Sequence, residues 1–332
     1  MSRRARRRAA WVAVLVALLG LSAIGALWWL SRPPSEASGT VIIDVEPGTT
    51  VRTLGRRLAA EGVIRSPLLF EAWLRIGGDA RRIQAGTYAL PLDRTLPAIA
   101  GILVEGRTLL ASVTVPEGLR LEETAGRAAR ALGIDSAAFA AAASDPALAD
   151  SLGIEAGTLE GYLFPETYRV APDIGPRDLA RVMVAHFRRV FTPAWQARAD
   201  SLGRSIHEIV TLASIVEEEA RIAAERPVIA GVFWNRLEAG MLLEADPTVQ
   251  YALGGHRERV LYEDLEVDSP YNTYRNTGLP PGPIASPGRA SLEATLYPDS
   301  VPYYYFVATG EDGRHAFSET FAEHLQKIRA LR

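Results

Sequence analysis

The chain contains no cysteine among its 332 residues. This absence excludes disulfide bonds, thiolate-bound metal sites and a cysteine nucleophile. The five histidines are scattered without a metal-ligand spacing, and His207-Glu208 lacks the second histidine of the helical zinc-protease motif. The sequence also has no Gly-x-Ser-x-Gly elbow, Walker A loop or dinucleotide-binding glycine pattern. We therefore predict a protein that uses no metal and no nucleotide cofactor.

The chain likewise has no strong excess of charge. Its net charge is -3 and its isoelectric point is near 6.0, so the basic footprint of a nucleic-acid-binding protein is missing. A hydrophobic fraction of 48% and a charged fraction of 23% are typical of folded protein rather than of disorder. The one uneven region is residues 1–10, where five arginines occur without an acid.

Residues 11–30 form an apolar run, WVAVLVALLGLSAIGALWWL, without a formal charge. As a helix rising 1.5 Å per residue, the run would span ~30 Å, the thickness of a bilayer core. The preceding arginines predict a cytoplasmic N-terminus and an exported remainder. A cleaved signal peptide is the alternative, but its apolar core would be ~7–15 residues and end in small residues. Here the run ends in Trp28-Trp29-Leu30, which favours an uncleaved anchor followed by a polar linker at 31–40.

Two segments that lie 70 residues apart match each other. Each predicts a short strand, a turn at a glycine (Gly48 or Gly118) and then a helix. Between them, residues 67–76 predict a helix, 84–90 a turn and strand, and 96–103 another helix. This order predicts an α+β fold and, across 41–110, loosely resembles LysM, a carbohydrate-binding module of cell-wall proteins. A spacer that sets the reach from the membrane is the alternative, and 111–155 is predicted to be a second small α/β segment and connector.

The most informative predicted helix spans residues 207–224 and carries three consecutive glutamates. At 100° per residue, Glu219 falls at ~280°, close to an apolar stripe centred near ~340°. Glu217 falls at the edge of the stripe, at ~80°, and Glu218 on the solvent face, at ~180°. An apolar setting raises the pKa of a carboxyl group, as a general acid at neutral pH requires. The alternative is a buried structural carboxylate paired with Arg226 or Arg236.

Five motifs carry a family resemblance: LEGYLFPETY, ASIVEEEA, LLEADPTVQYALG, SPYNTYRNTGLPPGPIASPG and PYYYFVATGEDGRHAFS. They resemble the signatures of the endolytic murein transglycosylases, the YceG-like or MltG family, in order along 41–332. The resemblance implies that residues 156–332 form an α+β catalytic domain. The family's catalytic glutamate lies in an Ala-Ser-Ile-(Val/Ile)-Glu-x-Glu stretch, which places it on Glu219, with Glu217 as the fallback. The sequence departs from the usual pattern at Glu218 and Ala220, which leaves the helper contacts around the acid open.

The resemblance implies cleavage of the β-1,4 bond between N-acetylmuramic acid and N-acetylglucosamine, with formation of 1,6-anhydro ends. Glu219 would protonate the glycosidic oxygen and then take the proton of the attacking C6 hydroxyl, so the enzyme would be a lyase without a cofactor. It also implies an inner-membrane location with the catalytic domain in the periplasm. Peptidoglycan glycan strands are the expected partners, peptidoglycan synthases (penicillin-binding proteins) are candidate partners, and termination of new strands is the expected role.

Other residues are of the types that hydrogen-bond or stack on sugars, although loop packing explains them equally well. They are Asn235, Asp246, Thr248, Tyr271, Asn272, Thr273 and Tyr274. Two further hypotheses stay open at this point. One is a two-carboxylate muramidase, with Asp246 or Glu166 as the second group. The other is a non-catalytic scaffold that binds cell-wall glycan.

Overall fold

A computed structural model of the chain describes residues 3–34, 39–255, 260–310 and 313–331. The chain divides into two compact units, residues 1–111 and 112–332. Both helices and strands occur in each unit, so the predicted α+β class is confirmed at that level. The predicted linker at 31–40 lies partly outside the described residues.

The first unit begins with one long helix and continues as a small α+β fold. Its elements are α1 (Arg3–Ser31), β1 (Thr40–Val45), α2 (Val51–Ala60), α3 (Pro67–Ile76), β2 (Gly86–Pro91) and α4 (Leu96–Val104). Strands β1 and β2 pair antiparallel, with Ile43 opposite Tyr88. The core between the strands and helices includes Ile43, Leu58, Phe70 and Tyr88, all fully buried. The order β1-α2-α3-β2 follows the sequence prediction, while its likeness to LysM stays a prediction.

Helix α1 contains an 18-residue window, Val14–Ser31, with a mean hydropathy of 2.0. Within the described part of the chain, it is the one helix long and apolar enough to cross a membrane. Its apolar side chains are exposed, among them Leu15, Leu21 and Trp29. Because large apolar side chains are rarely exposed along a whole helix in water, α1 is consistent with a single-pass membrane anchor.

The second unit is mainly helical, with two short pairs of strands. Its elements are β3 (Ala111–Val115), α5 (Leu121–Leu132), α6 (Ser136–Ala143), α7 (Pro146–Ser151), β4 (Glu166–Val170), α8 (Pro176–Val190), α9 (Pro193–Ser201), α10 (Ile206–Glu219), α11 (Arg226–Glu238), α12 (Asp246–Ala252), α13 (Arg289–Leu296), β5 (Tyr305–Ala308), β6 (His315–Ser318) and α14 (Phe321–Ala330). Strand β3 pairs with β4, and β5 pairs antiparallel with β6. One apolar core runs from Val113 to Leu296. Residues 111–155 therefore share their core with 156–332.

Helix α10 lies at the centre of the second unit. A capping box fixes its start, because the Ser205 hydroxyl accepts from the Glu208 N–H and the Glu208 carboxylate accepts from the Ser205 N–H. Every residue from Ile209 to Val216 is buried, which leaves the helix little freedom to rotate. The helix meets α11, α12 and α13. It therefore holds its C-terminal glutamates in a fixed direction.

The predicted end of this helix at residue 224 is wrong, because α10 ends at Glu219. Ala220 leaves the helical region, with φ -84° and ψ 97°. The chain then turns back, so that Arg226 lies 3.2 Å from the Glu217 carboxylate. In a continuous helix these residues would be about 13 Å apart along the axis, so this ion pair requires the turn. Glu219 is consequently the last helical residue, and no further turn of α10 follows it.

Candidate active site

Glu219 lies on the wall of a cavity of about 390 Å³ in the second unit. The other lining residues come from α11, α12, α14, the β5–β6 hairpin and the loops between them: Arg236, Leu243, Glu244, Asp246, Tyr274, Phe306, Val307, Ala308, His315 and His324. Within the described residues, no side chain or backbone group is hydrogen-bonded or ion-paired to the Glu219 carboxyl group. The carboxyl group is therefore available to a ligand in the cavity.

The pKa of Glu219 is raised to about 8, first by burial and then by the negative charges of Asp246 and Glu218. The positive charge of Arg221 opposes this shift. The C-terminal position on α10 acts in the same direction as burial, because the negative end of the helix dipole disfavours a carboxylate. Glu219 is thus mostly protonated at neutral pH and can donate a proton, as a general acid must.

Asp246 and Tyr274 lie beside Glu219 in the cavity. The Tyr274 hydroxyl donates to Asp246 Oδ1 over 2.7 Å, and burial together with this bond raises the pKa of Tyr274. Asp246 is the first residue of α12, and Ala245 takes the N-cap position. The hydrogen bond holds the Asp246 charge where it opposes ionisation of Glu219.

Arg236 and Glu244 both line the cavity. The guanidinium donates to Tyr304 O over 2.6 Å, to the carbonyls of Leu242 and Leu243 over 3.0 Å, and to Glu244 Oε2 over 3.0 Å. Through its bonds to residues 242–244, Arg236 fixes the loop before α12. Glu244 has a φ of 52°, a conformation that non-glycine residues adopt at a cost and that often occurs at functional sites. Arg236 therefore pairs with Glu244 and leaves Glu219 unpaired.

His315 reaches the cavity from β6 and is held by Glu225. Its Nδ1 lies 2.8 Å from Glu225 Oε2, and its backbone N–H donates to Glu225 Oε1 over 3.2 Å. Because a carboxylate can only accept, Nδ1 carries the hydrogen, and Nε2 is free to face the cavity. The ring packs edge-on against Phe306 at a centroid distance of 5.3 Å. The arrangement gives the site a second oriented group capable of hydrogen bonding.

Glu217 has a different environment from Glu219. Its side chain is 7% exposed and pairs with Arg226 over 3.2 Å, and its Oε2 accepts from the Gly288 N–H over 2.9 Å. It lies outside the cavity lining. The arginine pairing that the sequence left open for Glu219 is thus made by Glu217, and Glu218 is exposed as the helical wheel predicts.

Two other candidate residues hold neighbouring loops. The Asn235 amide donates to the carbonyls of Val301 and Tyr303 over 2.8 and 2.9 Å, which ties α11 to the segment before β5. Tyr271 packs against Tyr251 at a centroid distance of 4.7 Å. Neither Asn235 nor Tyr271 lines the Glu219 cavity.

The remaining three candidates connect the loop before α12 to the loop around residue 273. The Asn272 amide donates to the carbonyls of Leu265 and Val267 over 2.8 and 2.9 Å. Thr248 and Thr273 lie with their hydroxyl oxygens 2.8 Å apart, and all three side chains are buried. They place Asp246 and Tyr274 in the cavity without lining it themselves. Glu166, the other candidate second carboxyl group, lies on β4 beside His186 and is also absent from the lining.

Sequence reasoning missed Glu225, Glu244, His315 and His324 as residues of this site. Glu244 lies inside the motif LLEADPTVQYALG and Glu225 lies five residues after ASIVEEEA, but neither stands at a recognisable spacing. For the histidines, the sequence shows only that they lack the spacing of metal ligands. The one available signal was the pairing of a histidine with aromatic residues in the motif that ends at residue 318.

Comparisons with known proteins match most of the chain. A model described as the YceG-like family matches residues 43–330. A relative from Bacillus subtilis (strain 168), named endolytic murein transglycosylase, is 38% identical over 305 residues, which is 87% of this chain and 84% of the relative. A relative of the same name from Streptococcus pneumoniae serotype 2 (strain D39 / NCTC 7466) is 29% identical over 319 residues. That alignment covers 87% of this chain but 58% of the pneumococcal protein.

A solved structure also matches. It is a 2.6 Å crystal structure of a putative yceG-like protein from Listeria monocytogenes, 33% identical, with a TM-score of 0.61. The match covers 87% of this chain and 99% of that chain.

Proposed function

From the premise that the chain belongs to the YceG-like family, we propose that Glu219 is its single catalytic acid and base. The chain is a peptidoglycan lytic transglycosylase, and therefore a lyase, like the Bacillus subtilis endolytic murein transglycosylase it resembles over most of its length. The observation that supports the assignment is an unpaired glutamate on a cavity wall, with its pKa raised to about 8.

The first half of the reaction needs a proton donor at the glycosidic oxygen. Glu219 is protonated at neutral pH and gives its proton to this oxygen while the bond to C1 of the muramic sugar breaks. The leaving N-acetylglucosamine keeps the proton as its new hydroxyl group. Asp246, held by Tyr274, offers negative charge to the positive charge that develops on the muramic ring.

The second half needs a base at the C6 hydroxyl of the same muramic sugar. Glu219 is now an anion in a buried site beside Asp246, so its affinity for a proton is high. It takes the C6 hydroxyl proton as the oxygen bonds to C1, which closes the 1,6-anhydro ring and restores the acid. No water enters the balance of atoms. The same burial and the same neighbouring charge thus serve both halves.

The His315–Glu225 pair supplies a further contact to the sugar. With Nδ1 bound to Glu225, Nε2 of His315 is left to hydrogen-bond a hydroxyl or acetamido group in the cavity. This role is positioning, because Glu219 already accounts for both proton transfers.

A muramidase with two carboxyl groups is the second candidate, since Asp246 lines the same cavity as Glu219. Hydrolysis would place oxygen from water on C1, whereas ring closure uses the oxygen already on C6. Digestion of glycan strands by the full chain in H₂¹⁸O therefore separates the two. We expect 1,6-anhydro ends without ¹⁸O. Reducing ends carrying ¹⁸O would instead assign the hydrolase.

We place the catalytic unit outside the cytoplasmic membrane, with α1 as a single-pass anchor and its arginine-rich N-terminus inside. In this location the enzyme would meet new glycan strands beside the synthases that make them, and strand termination is the role that fits. The first unit, with its β1-α2-α3-β2 order, would act there as a LysM-like module. Protease accessibility of each end in sealed spheroplasts tests the orientation, since the arginine-rich N-terminus should be protected and the second unit should be cut.

A further inference from the structure

Helix α3 of the first unit is apolar on two faces. Its inner face carries Phe70 and Leu74, which are 0% and 1% exposed. Its outer face carries Leu68 and Ile76, which are 75% and 89% exposed, and Trp73, which is 50% exposed. On a wheel of 100° per residue, the three outer side chains span ~140°, and the inner pair lies opposite. A solvated helix of a soluble domain would carry polar residues on that outer face.

The start of α3 lies beside the point where the chain leaves the apolar helix α1. Arg65 Nε donates to Pro33 O over 3.0 Å, and the Arg65 guanidinium lies 4.4 Å from the centre of the Trp29 ring. Ser66 then caps α3 by accepting from the Leu69 N–H over 3.2 Å. Trp28 and Trp29 at the end of an apolar span are typical of the membrane–water interface. Arg65 therefore ties the first turn of α3 to the end of α1 that carries Trp28 and Trp29.

The charged residues around the outer face of α3 also fit a position at the membrane–water interface. Residues 65–82 contain four arginines and two acids, a net charge of +2. Arg75 is 66% exposed at the end of α3, and its partner Glu71 points into the unit with 7% exposure. Arginines beside a tryptophan and aliphatic side chains are the composition of helices that lie in the interface of an anionic bilayer.

We propose that the outer face of α3 (Leu68, Trp73 and Ile76) lies in the headgroup–acyl boundary of the membrane that α1 crosses. The occupant of this face is the outer leaflet, not a protein partner or a glycan. The first unit would then be held against the membrane surface at two places, α1 and α3. Its orientation relative to the membrane would then be fixed. The inference rests on the membrane anchor proposed above and not on the transglycosylase activity.

The absence of cysteine allows a direct test in the full chain. Leu68→Cys and Ile76→Cys are each labelled with an NBD fluorophore and reconstituted in vesicles of phosphatidylethanolamine and phosphatidylglycerol. Quenching is then measured with lipids that carry a nitroxide on the acyl chain. We expect quenching at both positions, on the order of several-fold above that of a solvent-exposed site.

Ile42→Cys is the matched control. Ile42 is 65% exposed, is also an isoleucine, and lies on β1 next to the buried Ile43. Since successive strand residues point to opposite faces, its side chain points away from the core. Leu21→Cys in α1 reports the anchor itself. Thermal unfolding of each labelled chain, compared with the unlabelled one, checks that the fold is kept.

Quenching at positions 68 and 76 that is no greater than at position 42 would overturn the proposal. Quenching at position 21 in the same vesicles would show that α1 is nevertheless inserted in the membrane. Disulfide cross-linking between copies through position 76, without lipid quenching, would overturn it in favour of a dimer. Strong quenching at 68 and 76 that disappears in vesicles without the nitroxide would support it.

Discussion

The charge of Asp246 is predicted to set the alkaline limit of the reaction. Burial makes the largest contribution to the raised pKa of Glu219, and the Asp246 charge the next. Asp246→Asn removes that charge but keeps an oxygen to accept the Tyr274 hydrogen bond. The loss of one close negative charge lowers a buried carboxyl pKa by on the order of one unit. We therefore expect the pKa of Glu219 to fall from about 8 towards neutrality.

The size of the effect follows from the fraction of Glu219 that is protonated. At pH 8 this fraction falls from about one half to about one tenth, whereas at pH 6 it stays above about nine tenths in both proteins. Since the free enzyme must carry the proton, kcat/KM at pH 8 should drop roughly fivefold beyond any change at pH 6. The assay is the rate of formation of anhydro-muramyl ends from defined glycan oligomers between pH 5 and 9.

Two variants separate charge from contact. Tyr274→Phe removes the hydrogen bond to Asp246 but keeps the charge, so the alkaline limb should stay in place even if the rate falls. Glu218→Gln removes the smaller of the two charges that act on Glu219, so it should move the limb less than Asp246→Asn does. An alkaline limb that is unmoved in Asp246→Asn, or moved to higher pH, would refute the reasoning.

Three further results are expected. Glu217→Gln should lower the free energy of unfolding by about 3 kcal/mol in denaturant titrations, because it removes the carboxylate partner of Arg226, whose side chain is only 15% exposed, while anhydro products still form. Glu219→Gln should be more stable than the parent by roughly 4–5 kcal/mol at pH 8.5 and by less than about 1 kcal/mol at pH 5 in the same titrations. His315→Asn should keep the bond to Glu225 but lose Nε2, and kcat/KM for glycan cleavage should fall about tenfold.

The sign of the Glu219 stability prediction follows from its folded pKa of about 8, above the usual value of a glutamate. The folded state binds the proton more tightly, so stability is lost as the pH rises from about 4.5 towards 8. Glutamine has no charge to bury and avoids that loss. For His315, His186→Asn is the matched control, since His186 also lies near a glutamate, Glu166, but not in the cavity. A pH-independent stability difference, or equal rate losses in both histidine variants, would contradict these two predictions.

The direction of the three glutamates could be predicted from the sequence because it depends on helix geometry alone. A period of 100° separates Glu217, Glu218 and Glu219 whatever the surroundings. The end of the helix could not be predicted, since it depends on Arg226 returning to Glu217. That ion pair joins two helices and has no local signal.

The other residues of the cavity could likewise be predicted only in part from the sequence. The sequence indicates Asp246 and Tyr274 as candidates together with five other polar residues of similar chemistry. Nothing in the local sequence distinguishes a residue that faces the cavity from one that holds a loop. Asn272 is fully buried and bonded to two carbonyls, which only the folded chain reveals. His315 enters the site because Glu225 holds β6 against the turn after α10, a contact between segments distant in sequence.

The most direct measurement compares Glu219→Gln with Glu217→Gln in single-turnover digestion of glycan strands, followed by mass spectrometry of the new ends. The account predicts that Glu219→Gln forms anhydro-muramyl ends at least ~10² times more slowly than the parent while its thermal unfolding stays cooperative. Glu217→Gln should retain the reaction in proportion to its folded fraction. Formation of anhydro ends at the parental rate by folded Glu219→Gln would contradict the central claim.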